Sequence, residues 1–315
     1  MSCNNTKPRM VIKNLKNMKI LLKLFAVACM AMLFQSCYED YKFDYDHTTA
    51  YFARQKPLRT LVDEENKDMK FTFGTVLAGV YSNEKNWNVY YEVQPELLEE
   101  YPDKELLPEE YYTLSNSNHI VVPEGNILGE IEVKIDKDKF MSDPKSLNGT
   151  YVLPVKITSC DMDSILENKD YSLIALKYFN KFHATYFLKG TDTKFNADGT
   201  EADKVEYNSD DLVQNNRIHE LTTLSKNSLK VPFIGRFNVE KHFMKISVDE
   251  DNNVSVEGMD GSVISSVTGS GKFNYDENNH PHFNLEYEYT DEDGLKHKVQ
   301  EELIYLKTVL KLEEW

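Results

Sequence analysis

Gly129-Glu130-Ile131-Glu132-Val133-Lys134-Ile135 alternates without a break. Ile131, Val133 and Ile135 fall on one side; Glu130, Glu132 and Lys134 fall on the other. A strand turns successive side chains to opposite faces, so period two with one apolar face predicts a half-buried β-strand. The same grammar recurs upstream. Trp87-Asn88-Val89-Tyr90-Tyr91-Glu92-Val93 puts Trp87, Val89, Tyr91 and Val93 on one face and Asn88, Tyr90 and Glu92 on the other. Met69 to Phe73 alternates, and His119 to Val122 stops at the turn signal Pro123-Glu124-Gly125. Tyr151 to Ile157 alternates as well, although Pro154 lacks an amide hydrogen and argues for an edge or a bulge. Tyr171 to Tyr178 adds a further strand, and residues 95–110 leave room for one short helix at most. Short strands with turn signals between them predict a β-sandwich.

The second half restarts at Phe182-His183-Ala184. Residues 189–211 are polar and turn-rich, a long loop or an irregular strand pair. Strands are expected at 229–234, 242–248, 253–257, 262–267, 271–275, 282–290, 297–304 and 306–312. Asp249 to Asn253, Asp276 to Asn279 and Asp291 to Gly294 are connections short enough to force an antiparallel meander. The chain thus reads as all-β: an N-terminal Ig-like β-sandwich over 49–180, then an antiparallel β-sandwich or lipocalin-like barrel over 181–315. The boundary belongs near Asn180.

Ahead of these domains, Lys19 and Lys23 precede an uncharged apolar run from Leu24 to Phe34, followed by Gln35-Ser36-Cys37. That is a secretory signal, residues 1–36, with Met18 as an alternative start. The run is too short for a bilayer about 30 Å thick, which needs roughly 20 apolar residues. A signal that ends at cysteine resembles that of a bacterial lipoprotein, in which Cys37 becomes the acylated first residue. The loose lipobox and the acidic Glu39-Asp40 resemble surface lipoproteins of the Bacteroidetes. The resemblance implies an outer-membrane protein, lipid-anchored and facing the cell exterior. Residues 37–48 are acidic and aromatic and read as a tether.

Six of the 36 basic residues precede Cys37 and no acidic residue does, so processing leaves 30 basic and 52 acidic side chains, a net charge of −22. Nucleic acid is excluded as a natural partner, because phosphate binding draws on basic residues. Lipid rather than a basic patch must then hold the chain to a membrane. Of four cysteines only Cys160 remains free after acylation of Cys37, so the cores supply stability without an intramolecular disulfide.

No nucleophile elbow, phosphate loop, HExxH or zinc-type cysteine pattern is present, so neither a cofactor nor an enzyme activity is expected. Asp249, Asp251 and Asn253 match the first, third and fifth positions of a Ca²⁺ loop, but Val254 stands where that loop needs glycine. An acidic hairpin turn is the better reading. His280 and His282 flank Pro281 without a third ligand. Sugar-binding sites offer aromatic platforms beside amides, which singles out Trp87 and Tyr90 among Asn83, Asn86 and Asn88. Trp87 shares its face with Val89 and Tyr91, so a core position competes with a platform. Trp315 is a platform or a core plug.

Leu107-Pro108, Tyr111-Tyr112-Thr113-Leu114, Val122-Pro123-Glu124-Gly125 and Tyr151 to Ile157 resemble an uncharacterised N-terminal domain of surface lipoproteins from Bacteroidetes polysaccharide-utilisation loci. Gly269-Ser270-Gly271-Lys272-Phe273 and Phe283 to Tyr289 are similar to the domain that usually follows it. The resemblance implies a non-catalytic glycan-binding lipoprotein, with a polysaccharide or oligosaccharide and an outer-membrane importer complex as partners. The alternative is a structural or adhesive surface protein, a fimbria-like subunit or a host-protein adhesin. Cys37→Ala is expected to release the protein from the membrane fraction; sedimentation of that variant with membranes through a high-salt wash contradicts the lipid anchor.

Overall fold

The computed structural model describes residues 47–315 apart from 212, 213 and 215. The signal, Cys37 and most of the tether lie outside the described residues. The first half of the chain carries β1 (Thr49–Phe52), β2 (Pro57–Val62), β3 (Lys70–Ala78), β4 (Trp87–Val93), β5 (Glu105–Leu106), β6 (Tyr112–Leu114), β7 (His119–Val122), β8 (Leu128–Ile135), β9 (Tyr151–Cys160), β10 (Ser164–Ile165) and β11 (Tyr171–Phe179). One sheet runs β10-β1-β3-β8-β6; the facing sheet runs β2-β11-β9-β4-β7, with β5 beside β9. Their inner faces meet over Phe52, Phe73, Leu77, Val89, Tyr91, Ile131, Val133 and Leu153, all buried. The alternation of β8 is seen directly: Gly129, Ile131, Val133 and Ile135 point inward and the residues between them outward. Asp136 caps the short helix α1 (Lys137–Ser142), its carboxylate accepting the Lys139 N–H at 3.1 Å.

The second half forms β12 (Ala184–Phe195), β13 (Glu201–Glu206), β14 (Ile218–Ser225), β15 (Ser228–Val231), β16 (Met244–Val248), β17 (Asn253–Gly258), β18 (Thr268–Tyr275), β19 (Pro281–Thr290), β20 (Lys296–Lys307) and β21 (Glu313–Glu314). From β14 to β20 each strand pairs antiparallel with the next, and β12 pairs with both β14 and β20. This closes an eight-stranded barrel, so of the two expected architectures the barrel is the one formed. Strand β13 extends outward from the second half of β12.

Three hairpins share one construction. Asp249 accepts the N–H groups of Asp251 and Asn253, Asp276 those of Asn278 and His280, and Asp291 those of Asp293 and Leu295, at 2.8–3.1 Å. The fourth residue of each turn, Asn252, Asn279 or Gly294, has φ of 62°, 62° or 79°. Asn and Gly tolerate that left-handed backbone. The barrel interior is filled by rings: Phe182–Phe273 at 4.8 Å, Phe273–Phe283 at 5.1 Å and Tyr186–Phe283 at 5.7 Å. A barrel of eight strands is just wide enough for its side chains to fill.

Four expectations change. Pro154 lies on an interior strand, between β11 and β4. Its carbonyl accepts the Gln94 N–H at 3.0 Å just past the end of β4, so the one bond its missing N–H forgoes falls at the very end of that ladder. Residues 262–267 are not a strand; Ile264 and Val267 are buried, and their apolar character reflects a packed loop. Strand β14, unmarked in the sequence, presents threonines and serine between single apolar residues. The expected strands 297–304 and 306–312 are one strand, β20, followed by a tail that leaves the barrel.

That tail ends on the sandwich. Thr308 Oγ1 donates to the His183 carbonyl at 3.2 Å, and β21 then pairs antiparallel with β2. Trp315 donates its backbone N–H to Lys56 O at 3.2 Å and its Nε1–H to Leu173 O at 3.1 Å, with its ring edge-to-face against Tyr101 at 5.2 Å. Glu313 pairs with Lys177 and Glu314 with Arg54. The tail of the 181–315 segment therefore packs on the 49–180 segment. Asn180, at the junction, is buried and donates to Ser225 O and Ser228 O at 2.8 and 3.0 Å. Truncating a fully buried aromatic costs about 3–5 kcal/mol, so Trp315→Ala, removing a half-buried one, should cost about 2 kcal/mol. Urea unfolding followed by circular dichroism measures it, and an unchanged midpoint refutes the docking role.

Candidate functional site

Trp87 and Tyr90 lie on opposite faces of β4, so the strand does not bring them together. Trp87 is half-buried against the sandwich core, its Nε1–H donated to Asn83 Oδ1 at 2.9 Å and the Lys85 ammonium 3.8 Å from its ring centre. Tyr90 sits half-buried on the outer face beside His119, ring centres 5.7 Å apart. Asn88 is bonded to Asp161 through both its backbone N–H and its amide. Neither ring lines one of the larger cavities.

Those cavities lie on the barrel wall. Two adjoining hollows of about 640 and 720 Å³ open over the outer side of β12, β20, β19 and β18 and share Ser270, Glu286 and Gln300. The strand registers set outward side chains in rows across the wall. The first row is Lys189, Glu302, Asn284, Lys272 and Asn253. The second is Thr191, Gln300, Glu286 and Ser270, and the third is Thr193, Lys298, Glu288 and Thr268. Phe195 closes the far end on β12, its ring 6.0 Å from the Lys298 ammonium.

A barrel wall is ordinarily convex outward. Here the inward positions behind the rows include Gly190, Gly269 and Gly271. A Cβ on Gly269 would stand 2.3 Å from Glu286 O, one on Gly271 2.2 Å from Asn284 O, and one on Gly190 2.3 Å from Gln300 O. Without side chains at these points the neighbouring backbones close in, and the wall folds inward into a trough. Glycine within a strand marks such bends and close approaches.

The trough's charges are matched. Lys272 donates to Asn253 at 2.5 Å, Gln300 to Glu286 at 3.1 Å, and Lys298 pairs with Glu288 at 3.2 Å. Lys189 pairs with Asp210, and Lys204 with Glu206 at 2.5 Å. His282 meets Glu302 at 2.8 Å. Four lysines (189, 204, 272, 298) face four outward glutamates (201, 286, 288, 302) along the trough's lining, and Asp210 and Glu206, the partners of Lys189 and Lys204, tip the surround towards acid. The lining offers amides, hydroxyls and paired charges, groups that bond hydroxyl-rich ligands.

Behind the trough lies a buried polar cluster. Glu301 accepts from Tyr207 at 2.5 Å and from Tyr287 at 2.7 Å, and the Tyr287 hydroxyl accepts the Gly235 N–H at 2.7 Å. Burial pushes the Glu301 carboxyl up to about 7, against the pull of the two tyrosines. Asp192 accepts from Tyr289 at 2.5 Å, from Arg236 N–H at 2.9 Å and from His297 at 2.7 Å. Burial alone would raise Asp192, but these bonds outweigh it and hold its pKa below the usual value. Asp291, on the other side of His297 and bonded to Lys194, is held down to about 2 despite burial. Arg217 lies 3.9 Å over the Tyr207 ring and donates to Gly235 O at 2.8 Å. The sequence gives no sign of this cluster, because its members come from four distant segments. The trough was equally hidden: its residues are the solvent face of ordinary alternation, and only the glycines flag them.

Comparison with known proteins places these features in context. A family model described as "-like, N-terminal domain" matches residues 45–164. No curated protein matches the chain. A structure of unknown function from Bacteroides ovatus is 25% identical with a TM-score of 0.67, covering 86% of this chain and 98% of the other. A multidomain Bacteroides ovatus protein including DUF1735 is 12% identical, TM-score 0.39, over 82% and 94% of the two chains. A Bacteroides ovatus protein described as a proposed carbohydrate binding protein is 13% identical, TM-score 0.33, over 84% and 99%.

The raised Glu301 carboxyl makes the barrel pH-sensitive in a defined direction. Between the ordinary glutamate pKa near 4.3 and about 7, the folded state holds a proton that the unfolded chain has released. Stability from this group is full below that window and is lost as pH rises through it, by on the order of 3 kcal/mol. Glu301→Gln should flatten this component, measured as the difference in urea midpoint between variant and parent from pH 5 to 8. Parallel profiles for the two proteins would refute it.

Proposed function

We propose that this protein is a non-catalytic cell-surface lipoprotein that binds glycan as part of a polysaccharide-uptake system. It is anchored to the outer membrane through Cys37 and works beside an outer-membrane importer. The observation that carries this reading is the trough: a concave field of amides, hydroxyls and paired charges with an aromatic ring at one end. Sugars present hydroxyls at their rims and C–H groups on their faces, and these two surfaces match the two kinds of group in the trough. The acidic chain disfavours polyanions, so neutral glycans are the expected class. The sequence resemblance to polysaccharide-utilisation lipoproteins supports the same reading.

One observation favours a second reading, a structural or adhesive surface subunit. The last strand, β21, docks on a domain other than its own and is two residues long. Polymerisation visible by electron microscopy, with no glycan bound, would select that reading.

Isothermal titration against neutral polysaccharides tests the first. A net hydrogen bond contributes about 1 kcal/mol, so Asn284→Ala and Gln300→Ala should each weaken binding about fivefold. Tyr90→Ala and Trp87→Ala report on the face first suggested by the sequence and, for ligand held in the trough, leave affinity unchanged in folded protein. Binding lost with Tyr90 and retained without Asn284 and Gln300 moves the site to the sandwich.

A further inference from the structure

Resting on the glycan-binding reading, the geometry points to a ligand that is an extended oligosaccharide chain of several sugar units lying along the strands, rather than a single sugar or a chain end. Three observations carry this. The two hollows adjoin, with Ser270, Glu286 and Gln300 lining both, so one follows the other along the strands. Along β12 the two together reach from Lys189 to Phe195, six residue steps or about 20 Å at the rise of a strand. The trough's polar partners repeat: each step of two residues along the strands presents a fresh row of hydrogen-bonding groups across the wall.

The two ends differ. The first row is amide-rich, with Asn253 and Asn284, and Asn208 lies beside it. The other end carries Phe195 among Glu201, Lys204 and Lys298. A chain that fills the channel bonds the amides through hydroxyls at one end and lays a sugar face on Phe195 at the other. No closed pocket at either end would recognise a terminal sugar, since both hollows open to solvent along the wall.

The test is titration of the full protein with neutral gluco-, xylo- and manno-oligosaccharides, each from monosaccharide to hexasaccharide. Affinity should be undetectable for the monosaccharide and rise about fivefold for each sugar that gains a hydrogen-bonded row, until the channel is full. Asn284→Ala and Phe195→Ala should each make the gain stop at a shorter chain. A monosaccharide that binds as tightly as its hexasaccharide overturns the extended-chain inference and leaves the glycan reading standing. A length dependence untouched by both substitutions overturns the placement in the trough. Absence of binding to every oligosaccharide and to the parent polysaccharides removes the glycan reading itself.

Discussion

The ladder between β12 and β20 is the pairing on which the rest of this molecule depends. It joins ten residue pairs, from Thr185 with Lys307 to Lys194 with His297, and turns a meander into a closed barrel. Closure removes the exposed edges that a long sheet would offer to other chains. It also aligns two sets of side chains on the same strands. Outward residues form the rows of the trough, and inward ones supply Asp192, His297 and Glu301 to the buried cluster. Neither set exists without the other's register, because a slip of one residue would exchange the faces.

The buried cluster explains how a dented wall stays in place. Where Gly190, Gly269 and Gly271 leave the inner side bare, neighbouring side chains move in, Leu285 at Gly271 and Tyr287 at Gly269. Polar groups occupy part of that space: a Cβ on Gly190 would lie 2.8 Å from Glu301 Cγ and 3.0 Å from the Tyr207 ring. Such groups are costly to bury unless bonded, and here Glu301 accepts from two tyrosines while Asp192 accepts from three donors. The segment Ile234 to Phe237 reaches the same cluster through Gly235 and Arg236.

Most of the strand content was legible in the sequence because alternation is local. Residues 129–135 and 282–290 carry their own evidence, and the three acidic turns announce their hairpins through Asp, Asn and Gly. What stayed open was non-local. Whether the second domain is an open sandwich or a closed barrel turns on β12 meeting β20 across more than a hundred residues. Pro154 misled because its tolerance depends on where β4 happens to end. Trp87 and Tyr90 stand out in the sequence by residue type, whereas the trough arises from curvature, which leaves only the modest trace of Gly269 and Gly271 two residues apart.

The docked tail changes how the two domains are joined. The barrel is connected to the sandwich once through Asn180 and again through the segment from Thr308 to Trp315. A single linker permits swivelling; two attachments in parallel resist it and divide any pulling force between them. A force that separates the two halves then passes through β2 and β11 of the sandwich as well as through the linker. The ladder bonds of β21 and the seat of Trp315 share that load with the junction at Asn180.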